Sequence, residues 1–117
     1  MNERLAGRRT LLTGATGGLG KAVAVAFSRE GARLALLARD QERLEALRAE
    51  LGETTTVPAD VGSWEEAARG VRAAVQALGG LDVIVNAAAI DTSWKPVGDL
   101  PVEEWDRAIA VNLSGTF

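Results

Sequence analysis

The chain has 117 residues, 47% of them hydrophobic and 25% charged, with a net charge of −3. That balance suits a globular fold and gives no reason to expect nucleic-acid or acidic-membrane partners. No apolar stretch is long enough to span a membrane, the opening MNERLAGRRT is too polar for a signal peptide, and the lack of cysteine excludes disulfides and fits the cytoplasm.

Short apolar runs alternate with longer amphipathic stretches along the chain. Residues 10–13 read as a first strand ending at Gly14. Residues 21–30 carry apolar side chains at helical spacing and stop at Gly31, a residue suited to a left-handed cap. Residues 33–37 form a second strand built on Leu34, Leu36 and Leu37. Residues 41–51 place Leu44, Leu47 and Leu51 on one helical face, with Asp40 at the capping position and Gly52 at the end. Residues 54–58 are a short β-branched third strand. Ser63 and Glu66 then have capping-box spacing before a third helix that reaches Leu78 and breaks at Gly79-Gly80. Residues 81–85 are nearly all apolar, as expected of a strand covered on both faces. Residues 87–100 read as loop, and Pro101 suits the first turn of a last helix running toward Phe117. This order implies an α/β fold, a doubly wound parallel sheet of four strands with helices on both faces and right-handed crossovers.

The sharpest signal is Thr13-Gly14-Ala15-Thr16-Gly17-Gly18-Leu19-Gly20, sited between the first strand and the first helix. Glycines there permit a tight turn, close packing of helix on strand, and the approach of a diphosphate to backbone N–H groups. The helix N-terminus adds unpaired N–H groups and about half a positive charge. A glycine-rich turn with no ligand is the alternative. No Gly-Lys-Ser/Thr follows, so the P-loop pattern is absent.

The spacing Thr-Gly-x-x-x-Gly-x-Gly resembles the signature of the short-chain dehydrogenases/reductases, Rossmann-type enzymes that bind NAD or NADP. Because Gly17 and Gly18 are adjacent, the string also fits the Thr-Gly-x-x-Gly-x-x-Gly form of the extended, epimerase-like branch. Later segments favour the shorter branch. Asp60-Val61 resembles the pair that contacts the adenine ring in this family. Val85-Asn86-Ala87-Ala88-Ala89 resembles Asn-Asn-Ala-Gly, with Ala87 in place of the second asparagine and Ala89 in place of glycine. Val111-Asn112-Leu113-Ser114-Gly115-Thr116-Phe117 resembles the helix segment that carries the family's active-site asparagine, which interrupts its helix and helps hold a water beside a catalytic lysine.

The resemblance implies that Gly14, Thr16, Gly17, Gly18, Leu19, Gly20, Asp60, Val61 and Asn86 hold the cofactor and that Asn112 is the one catalytic residue present. Arg39 follows the second strand, where a carboxylate suits NAD and an arginine pairs with the 2′-phosphate of NADP, so NADP is the preferred cofactor. A solvated surface arginine is the alternative for Arg39, a turn-tightening role for Asp60, and strand-tying hydrogen bonds for Asn86. Trp64, Trp94 and Trp105 read as core or interface anchors.

Histidine, cysteine and tyrosine are all absent, which removes the usual acid, base and thiolate and the common metal-ligand sets; no metal site is expected. The family's serine, tyrosine and lysine have no counterpart here. The chain therefore reads as an NAD(P)-binding domain over 1–117, the N-terminal part of an oxidoreductase whose catalytic half is missing. Alternatives are a non-catalytic nucleotide-binding or interaction module and a truncated product. Self-association through the open edge of the fourth strand or through the last helix is expected.

Overall fold

The computed structural model describes residues 3–117; Met1 and Asn2, which belong to the domain read over 1–117 and to the opening stretch read as lacking a signal, lie outside the described residues. Strands β1 (Arg9–Thr13), β2 (Arg33–Ala38), β3 (Thr55–Pro58) and β4 (Val83–Asn86) alternate with helices α1 (Gly18–Arg29), α2 (Gln41–Leu51), α3 (Trp64–Leu78) and α4 (Val102–Ile109). All neighbours pair in parallel, in the order β3-β2-β1-β4. The chain thus winds outward from β1 through β2 to β3 and then crosses to the other side of β1. A doubly wound sheet opens its crevice at that reversal, beyond the C-terminal ends of the strands. Pro58 is tolerated because β3 is an edge.

Alternation along β1 and β2 divides the core. Leu12, Leu34 and Leu36 face α1 and α2 and pack with Ala24, Leu44 and Leu47. Leu11, Ala35 and Leu37 face α3 and pack with Val57, Ala74 and Leu78. Capping follows the sequence: the Asp40 carboxylate accepts from the N–H groups of Glu42 and Arg43 at 3.0 and 3.2 Å. Ser63 Oγ accepts from Glu66 N–H at 3.3 Å, but Glu66 does not complete a capping box, since its carboxylate accepts from Asp60 N–H instead.

Three boundaries depart from the sequence reading by more than one residue. Helix α1 starts at Gly18 rather than Lys21, because Lys21 N–H already donates to the Gly17 carbonyl at 2.8 Å. Strand β4 starts at Val83 rather than Leu81. The preceding residue is occupied by a clamp: Arg9 donates to Asp82 from its backbone N–H and its guanidinium at 2.8–3.0 Å, and Asp82 N–H returns to the Arg9 carbonyl. The last helix changes at Ala110–Ser114 into a π-turn centred on Asn112.

Strand β4 is also not covered on both faces. Val85 packs beside Leu12, but Ile84, in register with Leu11, stays 53% exposed. None of the tryptophans is a core anchor: Trp64, Trp94 and Trp105 are all exposed, and Trp64 stacks on Phe117 with ring centroids 6.1 Å apart. No helix among the described residues is long and apolar enough to cross a membrane.

Candidate functional site

The glycine loop is shaped by two close approaches. Gly14 has φ +64°, and a Cβ on it would lie 2.5 Å from the backbone of Ala87 and Ala88 just after β4. A Cβ on Gly20 would overlap the Gly14 carbonyl. Only glycine lets the loop, the start of α1 and the end of β4 meet this closely. Ala15 N–H donates to the Leu37 carbonyl at 3.2 Å, and Thr13 Oγ1 accepts from Ala88 N–H at 3.3 Å, so β2 and the β4 turn are tied to the same loop.

Gly17 and Gly18 are different. A Cβ on Gly17 would meet only the Gly14 carbonyl at an ordinary 3.5 Å, and one on Gly18 would meet nothing within 4 Å. Neither has a left-handed backbone. The protein itself thus has no steric need for glycine at these positions. Gly17 caps α1 without a side-chain hydrogen bond, and the first turn holds no acidic residue. The N–H groups of that turn are left without intrahelical acceptors, which suits an anion brought close to the loop. A phosphate group fits this cradle.

The cleft beside it is walled by Gly14, Thr16, Gly17, Arg39, Asp60 and Val61. Gly18, Leu19 and Gly20 lie on the first turn of α1 instead; Leu19 is exposed and Gly20 is buried. Asn86 is exposed and turns to the α3 face, where it lines a second hollow with Ile84 and Thr13. Asn112 lies behind the wall: its side chain accepts from Ile90 N–H at 2.8 Å and donates to the Ile90 carbonyl at 2.9 Å, and Ile90 lines the cleft.

Two arginines that the sequence did not single out complete the cleft. Arg43, on the first turn of α2, donates to the Thr16 carbonyl at 2.9 Å. Its place on a helix that starts beyond β2 was a usable signal. Arg107, on α4, grips the Asp60 carboxylate with both Nη atoms at 2.9 and 3.0 Å. No local pattern announces it, because the contact depends on how α4 folds back over the strand ends. Asp60 also accepts from Gly62 N–H at 2.8 Å, so it does tighten its turn. The Arg107 hydrogen bond holds the Asp60 carboxyl below its ordinary range, against some opposing desolvation, with smaller help from Gly62 and the charge of Arg39. Arg39 itself makes no hydrogen bond or ion pair among the described residues. Asp40 is committed to its cap and does not line the cleft.

The family model for short chain dehydrogenases matches residues 8–117. The chain belongs to the short-chain dehydrogenase family. Curated relatives include a short chain dehydrogenase/reductase, dpmpG, of Macrophomina phaseolina, 42% identical over 97% of this chain and 67% of its own length. Among solved structures, a 3-ketoacyl-(acyl-carrier-protein) reductase from Brucella melitensis complexed with NADH superposes with a TM-score of 0.92, at 32% identity over 96% of this chain and 46% of that one. A short chain dehydrogenase from Burkholderia cenocepacia in complex with NADP gives a TM-score of 0.89, at 30% identity over 96% of this chain and 47% of that one. This member of the family therefore spans about half the length of those structures. Among its described residues, no cluster of three or more His, Cys, Asp or Glu is placed to hold a metal ion.

Proposed function

We propose that the chain is the dinucleotide-holding domain, read over 1–117, of a short-chain oxidoreductase that moves hydride between NADP(H) and a carbonyl or alcohol carbon. The observation that carries this reading is the cradle at Gly17 and Gly18, where nothing in the protein calls for a missing Cβ and α1 begins uncapped. The relatives solved with NADH and NADP support a nicotinamide dinucleotide as the occupant. Bound, that cofactor supplies the hydride donor or acceptor.

The chain's own residues then divide the work. Gly14 and Gly20 shape the loop; Gly17, whose N–H is donated to the Gly14 carbonyl, leaves room for the diphosphate, and Thr16, Gly18 and Leu19 offer backbone N–H groups to it. Asp60 and Val61 take the adenine end. Asn86 ends β4 next to Ala87, which lines the cleft, and Asn112 acts on the site through the Ile90 backbone it holds. Arg39 reads the 2′-phosphate, which makes NADP the preferred cofactor; its guanidinium, unpaired among the described residues, and the commitment of Asp40 to a cap both support this. Cytoplasmic residence belongs to the same reading and rests on the cysteine-free composition.

Titration of the purified chain with NADPH and NADH tests the proposal. Arg39→Ala is expected to weaken NADPH binding by about 1.5–3 kcal/mol, the range for charge-assisted hydrogen bonds, and to leave NADH binding nearly unchanged. Equal losses for both cofactors would remove the NADP preference, and no binding of either would remove the proposal itself.

A second reading, a module that binds nucleotide and works against another polypeptide, is favoured by the open side of β4. Exposed Ile84, Trp64 and Phe117 line one hollow there, and the edge has unpaired backbone groups. Self-association through this edge or through α4, whose Val102 and Trp105 are exposed, is its simplest form. Light scattering across micromolar concentrations is expected to show growth in mass; a constant monomer mass rules it out.

A further inference from the structure

Helix α4 is attached to the rest of the domain unevenly. It buries none of its residues, and among the described residues no strand and none of α1–α3 comes within 8 Å of it, Cα to Cα. Its less exposed side runs through Glu104, Arg107 and Ala108 and continues beyond its end to Val111 and Gly115, spaced as one helical face. Packing holds only the far end of that side. Val111 is buried at 4% exposure, and a Cβ on Gly115 would lie 2.9 Å from the side chain and the carbonyl of Val61. Asn112 grips the Ile90 backbone through both ends of its amide. These anchors fall on the π-turn Ala110–Ser114 or directly after it, where the α-helical hydrogen-bond ladder is already interrupted. Nearer the start of α4 the ties are polar. Glu104 accepts from Ser93 N–H and Oγ at 2.8 and 2.7 Å, but Ser93 lies on the loop that leads into α4 and gives no hold on the sheet. Among the described residues, the side-chain tie from α4 to the strand ends is the Arg107–Asp60 fork, which spans 47 residues and is partly open to solvent. Arg107 and Val111 both wall the cleft. The helix thus has an apolar pivot at one end and a charged latch along its length.

We infer that α4 is a lid arm over the cleft, pivoting on the π-turn and latched by Arg107 on Asp60, so that release of the latch opens the cleft while the sheet stays folded. The inference rests on the dinucleotide reading only for what the cleft holds. An eight-residue helix is not stable alone in water, so the released arm unwinds and its amides meet solvent. A partly exposed ion pair is weakened by salt, whereas the apolar pivot is not, and the latch is therefore the salt-sensitive end.

Amide hydrogen exchange on the purified 117-residue chain reads the arm directly. The amides of residues 105–110 are expected to exchange faster than those of α2, whose Leu44 and Leu47 are buried, by an opening that leaves α2 protected. Raising NaCl from about 0.05 M to about 0.5 M is expected to speed the α4 amides about two- to threefold with α2 unchanged. Arg107→Leu is expected to speed them about fivefold at low salt and to remove the salt response. Arg107→Lys, which keeps the charge but not the fork, is expected to fall between. Bound NADPH is expected to slow the α4 amides of the wild type, since an occupied cleft holds the lid down. The inference is overturned if α4 exchanges only together with α2, or if Arg107→Leu with a wild-type circular dichroism spectrum leaves α4 exchange unchanged. It is also overturned if NADPH binds and α4 exchange stays the same. A wild type that binds no NADPH removes the dinucleotide reading alone, and the salt and Arg107 results still decide the latch.

Discussion

The two faces of the sheet are built from the same strands and end up in different states. On the α1/α2 side, Leu12, Leu34, Leu36 and Leu44 are buried essentially completely, and Val85 of β4 packs in with them. On the α3 side, Leu11 and Leu37 are buried, but the cover stops short of β4. Ile84 is half-exposed, Asn86 is exposed, and Trp64 and Phe117 stack on one another over the gap. The difference is one of supply. Two helices cover the first face, and α3 alone covers the second. Burial of an apolar strand position is thus decided by what lies above it rather than by its own side chain.

The largest expected effect is in chemistry. The cleft at the strand ends is where the proposed function puts the cofactor, but the chain offers no tyrosine, histidine or cysteine as a proton donor to a developing alkoxide. A placed donor typically contributes about 10²–10⁴-fold, so no saturable turnover is expected when NADPH absorbance is followed with a panel of ketones and aldehydes. Asn112 does not substitute, since both ends of its amide are engaged by Ile90. Turnover that disappears in Gly18→Asp, with contaminating enzymes excluded, would mean that a side chain other than tyrosine, histidine or cysteine serves as the donor.

The next effect is in stability. Leu36→Ala empties a fully enclosed site and is expected to cost about 2–5 kcal/mol in urea unfolding. Ile84→Ala sits over the open hollow and is expected to cost about 1 kcal/mol or less. Similar losses at the two positions would show that something covers Ile84 in solution, and would erase the distinction between the faces.

Much of this arrangement was legible in the residues. Strand and helix order followed from periodicity, Asp40 and Ser63 announced their caps, and the glycine string marked the crevice because a strand-to-helix turn at β1 lies at the reversal of strand order. What escaped was non-local. The apolar run at β4 looks the same whether one face or both are covered, so its open side could not be read from Val83–Asn86. Trp64, Trp94 and Trp105 have core-like chemistry but occupy helix and loop positions that no element overlies. Within the site, Gly14, Thr16, Gly17, Arg39, Asp60 and Val61 converge, whereas Asn86 points to the other face by the simple alternation of β4. Arg107 was invisible because its value lies in a contact spanning 47 residues.

The smallest expected effect concerns acid and probes the tie across the cleft without disturbing the hollow. The Arg107 hydrogen bond lowers the Asp60 carboxyl in the folded chain relative to its ordinary value of about 3.9. A carboxylate so lowered contributes stability that is fully present above the ordinary value and is lost as pH falls through the folded one. Both partners are partly exposed, with side-chain accessibilities of 24% for Asp60 and 36% for Arg107, so solvent screening limits the contribution to under about 1 kcal/mol. Other lowered carboxyls, at Glu30, Asp82 and Glu104, are unchanged between wild type and Asp60→Asn and so cancel in a comparison of the two. Urea unfolding at about pH 6 and about pH 3.5 should therefore show the wild type losing more stability than Asp60→Asn over that interval. Equal losses would mean that the fork contributes nothing to folding and leaves α4 to be held over the cleft by Asn112 and Ile90, together with the Glu104 carboxylate that accepts from Ser93.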